Sequence, residues 1–259
     1  MTRQVLVMTA HADDAEFWAG GTLARLAAAG DEITCVIATD NCRGTLRHPM
    51  PDMIERSAQE ARRAAQVLGM HQVVFLGYAD GELREVPTAM LRGQFMGFAR
   101  RLRPGLALTF DSFAPFETHP DHRAVAVAAS EALSFSQLPH FHPEHLQGGV
   151  EIYQVPEVYY FAKHPVNADL VLDVSDFIQQ KIDALCQHIS QMELWLDELR
   201  LALESRGDAL RRDDYQVLLG RHIRHQAAQV GKKIGVPFAE AFRRDGPVSA
   251  DLSWLEEES

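Results

Sequence analysis

The sequence predicts a doubly wound α/β fold with a mostly parallel, Rossmann-like sheet, and three observations carry that prediction. Apolar runs alternate with helix-periodic segments four times within roughly the first 135 residues, the alternation of βαβ crossovers and parallel pairing. The runs are apolar throughout, as in strands covered on both faces. Two clusters of acids and histidines fall just past two of these runs, where open α/β sheets bind ligands.

The elements follow in order. Gln4 to Thr9 is the first strand. Leu23, Leu26 and Ala27 mark a helix over Phe17 to Ala29, closed by Gly30. Ile33 to Ala38 is a second buried strand, followed by a loop over Thr39 to Pro51. Met53 to Leu68 reads as a helix with Ile54, Ala58, Ala61, Ala65 and Leu68 on one face. Val73 to Leu76 is strand three, and Thr88 to Arg101 a third helix. Leu106 to Phe110 is strand four. Its loop carries Asp111, Glu117, His119, Asp121 and His122, and a helix follows over Ala124 to Leu133.

Past this core, Val158 to Ala162 and Leu170 to Val174 read as two further strands. Ile182, Leu185, Ile189, Met192, Leu196 and Leu199 form a stripe that predicts one long helix, docked on the body or at a subunit interface. Asp213 to Gln229 reads as a last helix, and the acidic end around Trp254 as frayed. The expectation is one domain over 1–259, with its α/β core at about 1–135 and an extension of the same domain at about 150–245.

Composition narrows the partners. The chain has 259 residues, 46% hydrophobic and 24% charged, as in ordinary globular proteins. A net charge of −11 argues against nucleic acid and anionic membrane. No basic segment with an apolar core opens the chain, and no apolar run approaches ~18 residues. Cys35, Cys42 and Cys186 form no C-x-x-C pair, which points to a reducing, cytoplasmic setting.

The chemistry sits in Thr9-Ala10-His11-Ala12-Asp13-Asp14-Ala15-Glu16 and in His119-Pro120-Asp121-His122. One His and one Asp from the first stretch and one His from the second make three N/O ligands, the pattern of a catalytic zinc site; iron, cobalt or manganese would accept the same donors. Asp13 cannot easily share an ion with Asp14, so it is the natural base for the attacking water. His119, three residues before a ligand position, can face the substrate oxyanion as imidazolium. Glu16 reads as a first-turn carboxylate or a partner to a ligand. Other histidines carry less: His222-x-x-His225 lies mid-helix, His140-x-His142-x-x-His145 lies in a Pro-flanked loop that reads as solvated, and His164 and His188 are ambiguous.

Ala10-His11-Ala12-Asp13-Asp14-Ala15-Glu16, with Gly20-Gly21-Thr22-Leu23, resembles the opening motif of the LmbE-like, or PIG-L, N-acetylglucosaminyl deacetylases. His119 to Ala124 resembles their second motif. Leu76 to Leu83, Lys181 to Gln191 and Gly231 to Phe242 extend the likeness to about residues 4–242. The resemblance implies a metal-dependent amidohydrolase with His11, Asp14 and His122 on zinc, Asp13 as general base and His119 on the oxyanion. It also implies Asp80 near a sugar hydroxyl, Arg43 bordering the substrate, and a trimer or hexamer. Two departures stand out. Ala12 replaces the usual Pro, which should loosen the loop. The family's sugar-contacting Arg, three residues before the helix Glu, falls on Ser57 counted from Glu60, leaving Arg56 one place away as the candidate.

The reading is thus a metal-dependent hydrolase that removes an N-acetyl group from an amino sugar or glycoconjugate. Its rivals are a hydratase or lyase on the same metal site, and a non-catalytic sugar-binding protein.

Overall fold

A computed structural model describes residues 2–163, 168–210 and 214–247. Its centre is a seven-stranded sheet in the order β3-β2-β1-β4-β5-β7-β6. The strands are β1 (Gln4–Thr9), β2 (Glu32–Thr39), β3 (Gln72–Tyr78), β4 (Leu106–Phe110), β5 (Val158–Phe161), β6 (Leu170–Asp173) and β7 (Ala239–Asp245). The first five are mutually parallel, and β7 runs antiparallel to β5 and β6. Chain order reverses between β1 and β4, the switch point where such sheets open a crevice at their carboxyl edge.

The helices are α1 (Asp14–Ala28), α2 (Met50–Leu68), α3 (Thr88–Leu102), α4 (Pro120–Phe135), α5 (Ile178–Leu185), α6 (Ile189–Glu204) and α7 (Tyr215–Gly231). The main core takes Leu6 and Met8 of β1 and Ile33 and Ile37 of β2, all fully buried. A second cluster, with Ile182, Leu185, Met192, Leu219 and Ile223, packs α5, α6 and α7 together. No helix among the described residues is long and apolar enough to cross a membrane.

Beyond shifts of a few residues at the ends of α1, α2 and β3, the structure departs from the sequence expectation at two helices and one strand. The predicted long helix is two, broken at Cys186 to His188. Ser190 of α6 donates its N–H and its hydroxyl to the buried Glu60 carboxylate of α2, at 3.2 and 2.6 Å. That carboxylate serves the free N–H groups of a new helix start, while the apolar stripe runs through the break unaltered. Helix α4 begins at Pro120, so Asp121 and His122 lie in its first turn and not in the preceding loop. Pro120 suits the first helical position, and Nδ1 of His119 caps the turn from the Asp121 N–H at 3.3 Å. Strand β7 was not expected at all. Asp213, His164 and Trp254 lie outside the described residues.

Candidate metal centre and cavity

The first loop is clasped from β2. The Thr39 hydroxyl donates to the Ala10 carbonyl at 2.8 Å, and the Ala12 N–H donates to Oδ1 of Asn41 at 2.8 Å. A proline at position 12 could not make the second bond. The loop that Ala12 was expected to loosen is therefore tied by the N–H that Ala12 provides. Asn41 holds a left-handed backbone (φ 56°) to reach it.

Three donor groups converge where β1 and β4 part. Nδ1 of His11 lies 3.2 Å from Nε2 of His122. Asp14 Oδ1 is 3.2 Å from Nε2 of His122, and Asp14 Oδ2 is 3.6 Å from Nδ1 of His11. Tetrahedral zinc with bonds of about 2.0–2.1 Å has ligand–ligand edges of about 3.3 Å, so these donors fit such an ion. His119 is close as well: the ring nitrogens of His11, His119 and His122 lie within 4.8 Å of one another. His119 stacks on His122 with centroids 4.5 Å apart.

The remaining polar atoms orient the donors. Asp14 Oδ2 accepts the N–H groups of Ala10 and His11 at 3.1 and 2.7 Å. Nε2 of His11 faces Asp80 Oδ1 and Asp121 Oδ2, each at 3.3 Å. Asp121 is fully buried and also accepts from the N–H groups of Gly81 and Leu83, at 2.6 and 3.0 Å. Asp80 accepts the Arg43 N–H at 2.8 Å. His11, Asp80 and Asp121 form another grouping compact enough for a cation. Both oxygens of Asp121 already accept backbone N–H groups, which suits that carboxylate to orienting His11. Nδ1 of His122 lies 3.2 Å from Glu117 Oε2. Neither Asp121 nor Glu117 was assigned a role from sequence. With Pro120 recognised as a helix start, Asp121 would have been placed facing back toward the first loop.

The field of these acids favours positive charge in the gap between His11 and His122. Burial opposes charging either ring. Asp121, Asp14 and Asp80 nevertheless hold His11 well above the ordinary histidine range, and Asp14 raises His122. Burial likewise opposes ionising Asp14, but His122 and His11 hold its carboxyl far below the usual range. Asp13 moves the other way, raised by burial and then by neighbouring Asp14. His119 is lowered by burial and by His11 and His122.

These groups open on a cavity of ≈530 Å³ whose walls include Asp13, Arg43, Asp80, Gly81 and His119. Arg43 is half-exposed and ion-paired with Glu82. Arg56 does not line this cavity; it is exposed on α2. Gln191, the end of the Lys181–Gln191 likeness, lines it too, with Trp18, Trp195 and Glu198, which were not singled out from sequence. Elsewhere, the loop read as solvated gathers His142, Glu144 and His145 within the same 4.8 Å limit. Arg92 and Arg100 approach the two imidazoles there, at 3.5 and 3.4 Å, and compete with a cation. His222 and His225 join no such group among the described residues.

Comparison with known proteins gives a consistent set of relatives. The sequence model of the PIG-L family, GlcNAc-PI de-N-acetylase, matches residues 6–133. The diacetylchitobiose deacetylase of Thermococcus kodakarensis is 31% identical over 205 residues, covering 76% of this chain and 75% of that protein. A 1D-myo-inositol 2-acetamido-2-deoxy-alpha-D-glucopyranoside deacetylase of Actinosynnema mirum is 26% identical, covering 75% of this chain and 82% of its own. Among solved structures, N,N'-diacetylchitobiose deacetylase from Pyrococcus horikoshii superposes with a TM-score of 0.80 at 26% identity, over 98% of this chain and 88% of that one. The 4-carboxy-2-hydroxymuconate hydratase of Pseudomonas putida shares the fold, with a TM-score of 0.71 at 21% identity over 96% and 99% of the two chains.

Proposed function

This chain belongs to the PIG-L (GlcNAc-PI de-N-acetylase) family, and from that premise we propose that it is a zinc-dependent N-deacetylase of an acetylated amino sugar or glycoconjugate. The observation that carries the reading is the trio of donors from His11, Asp14 and His122, 3.2 to 3.6 Å apart, with Asp13 and His119 in the same cavity.

His11, Asp14 and His122 would hold the ion. When bound, zinc supplies Lewis-acid activation of water and of the amide carbonyl. Asp13 holds the N-cap position of α1 with no side-chain cap bond and lines the cavity beside ligand Asp14, and it accepts the proton of the attacking water. The same carboxyl returns that proton to the nitrogen as the C–N bond breaks, so acetate and a free amine leave. His119 meets the oxygen that gains charge. Its Nδ1 accepts the Asp121 N–H, which places the ring proton on Nε2. That contact supports a neutral ring donating from Nε2 over the imidazolium expected from sequence. Asp80 and Arg43 border the sugar; Arg56, exposed on α2 and outside the cavity lining, is given no part in binding it.

The N/O donor set suits zinc, and ferrous iron is the alternative. The β5-β7-β6 extension completes the same sheet, which supports reading the chain as one domain. Three free cysteines support a reducing, cytoplasmic setting. A trimer or hexamer is the expected assembly, read by light scattering.

The test is acetate release from N-acetylated sugars, beside Asp13→Ala. The variant should retain zinc by elemental analysis and lose turnover by about 10²–10⁴-fold. Full activity with metal bound would remove Asp13 as the base. Because a hydratase shares this fold, products are weighed as well: a substrate that gains one water without releasing an amine would favour that second reading.

A further inference from the structure

A second cavity, of ≈490 Å³, shares no lining residue with the one at the candidate metal centre. Its floor is one face of α3, where Met90, Gly93, Gln94, Gly97, Phe98 and Arg101 recur at helical spacing. Leu76 of β3 closes one side, and His142, Glu144 and His145 form the wall. The two glycines let that wall come close. A Cβ on Gly93 would lie 2.7 Å from Cε1 of His142, and one on Gly97 would lie 3.0 Å from Nη1 of Arg101. His142 carries its ring there on a left-handed backbone (φ 51°), strain of the kind that gathers at ligand clamps.

Arginines decide which ring nitrogens bear protons. Nε of Arg92 donates to Nε2 of His142 at 3.5 Å, and Nη1 of Arg100 lies 3.4 Å from Nδ1 of His145. A guanidinium only donates, so both of those nitrogens accept. The protons therefore sit on Nδ1 of His142, which meets Glu144 at 2.8 Å, and on Nε2 of His145. Burial, with Arg100, holds His145 below the ordinary histidine range against the pull of Glu144, so its ring is neutral. Proton-bearing nitrogens do not ligate a cation. The surrounding charge also disfavours one. Arg100 is 1% exposed, and it donates to the carbonyls of Ser136, Leu138, Phe141 and His142, none of them a carboxylate. Arg92 pairs with Glu131. Arg101 lies over the Phe98 ring at 5.2 Å and belongs to no ion pair among the described residues. A buried guanidinium with no counter-charge favours an anion beside it.

We propose that this cavity binds a small organic anion, its phosphate or carboxylate head held by Arg101 and by Nε2 of His145, its apolar body laid on α3 between Leu76 and Phe98. The site stands independently of the deacetylase reading. A guanidinium and an imidazole N–H meet anionic oxygens through charge-assisted bonds. The rest of the lining, with Leu76, Met90 and Phe98 beside two glycines, offers a flat apolar seat to a ring or short chain.

The experiment is calorimetric titration of the zinc-loaded protein with phenyl phosphate, benzoate and inorganic phosphate. Phenyl phosphate or benzoate should bind about tenfold more tightly than inorganic phosphate, and the tighter of the two identifies the head group. Arg101→Ala and His145→Ala should each weaken that binding about tenfold, and Arg101→Lys should restore part of it. Arg101 is exposed, so its variants keep the fold. Anions also bind zinc, and the variants separate the two sites: an affinity unchanged in both places the anion at the metal centre and overturns the proposal. It is equally overturned by no binding at millimolar concentration, by inorganic phosphate binding as tightly as the organic anions, or by a second equivalent of zinc that His145→Ala abolishes.

Discussion

Removing the carboxylate of Glu240 should be among the most destabilising single changes available to this chain. Glu240 projects from β7, and its Oε1 pairs with Nζ of Lys181 on α5 at 2.6 Å; the two side chains are 5% and 6% exposed. The same carboxylate accepts the N–H groups of Gly21 and Thr22, at 3.0 and 2.7 Å, in the middle of α1. Lys181 also donates to the Phe17 carbonyl at 2.8 Å. The approach is this close because Gly20 and Gly21 have no Cβ. One built on Gly20 would lie 2.9 Å from Cγ of Lys181, and one on Gly21 would lie 2.7 Å from Cβ of Val174. Glu240→Ala leaves a buried ammonium without its counter-charge, a loss of about 3–5 kcal/mol. At about 2–4 °C per kcal/mol for a chain of this size, Tm should fall by about 6–20 °C. Urea denaturation gives the free energy and thermal unfolding the shift. Lys181→Met/Glu240→Gln should lose much less, since no buried charge remains and the amide oxygen still accepts one of the α1 N–H groups. A Glu240→Ala loss under about 1 kcal/mol, or a double variant as weak as the single one, would refute this account of the pair.

Two further outcomes follow from single contacts. Ala12→Pro restores the residue usual at that position in the family, yet it removes the N–H that Asn41 accepts at 2.8 Å in a buried setting. The orphaned amide oxygen costs about 1–3 kcal/mol and the stiffer unfolded chain returns about 0.4–1, so the net is a loss of up to about 2.6 kcal/mol in urea denaturation; a variant more stable than the parent would contradict it. The Cys186 thiol is pushed up to about 11 by burial and by Asp183 and Asp214. At pH 8 roughly one molecule in a thousand carries its thiolate, so iodoacetamide labelling read by peptide mass should climb about tenfold per pH unit, with no plateau near pH 9.

Much of the site was legible because its residues lie within a few positions of strand ends. A strand end followed by H-x-D-D fixes which way the side chains face once the sheet is parallel, and a second cluster after β4 is brought alongside by the switch point. Asp121 was harder to read because its role depends on Pro120 starting the helix: one turn of helix, absent from the expected boundary, aims that carboxylate at His11 and at two backbone N–H groups. Strand β7 was hidden by its composition, since Arg243 and Arg244 interrupt the apolar pattern of Ala-Glu-Ala-Phe. Arg243 is there to clamp Asp111 with two 2.9 Å bonds. The break before α6 left no trace in the periodicity, because a compact turn can preserve the 3-4-3 spacing. What marks it is a polar contact 130 residues distant, Glu60 to Ser190. Trp195 lies beside the apolar stripe and not in it, and only the packing of α6 over the crevice brings it to the cavity.

These long-range contacts share a target. Helix α1 carries Asp13 and Asp14 at its amino end, and crowding two carboxylates there invites the loop to relax. Asn41 and Thr39 hold the loop from β2, while Glu240, Lys181 and Val174 hold the helix at Gly20 to Thr22 from the extension. Every candidate ligand, base and oxyanion donor lies within the first 122 positions, yet mid-helix N–H groups of α1 reach their carboxylate only from position 240. The extension therefore supports the candidate metal centre without contributing a ligand to it. It fixes the helix whose first turn presents Asp14, and through α6 it walls the cavity that Asp13 lines.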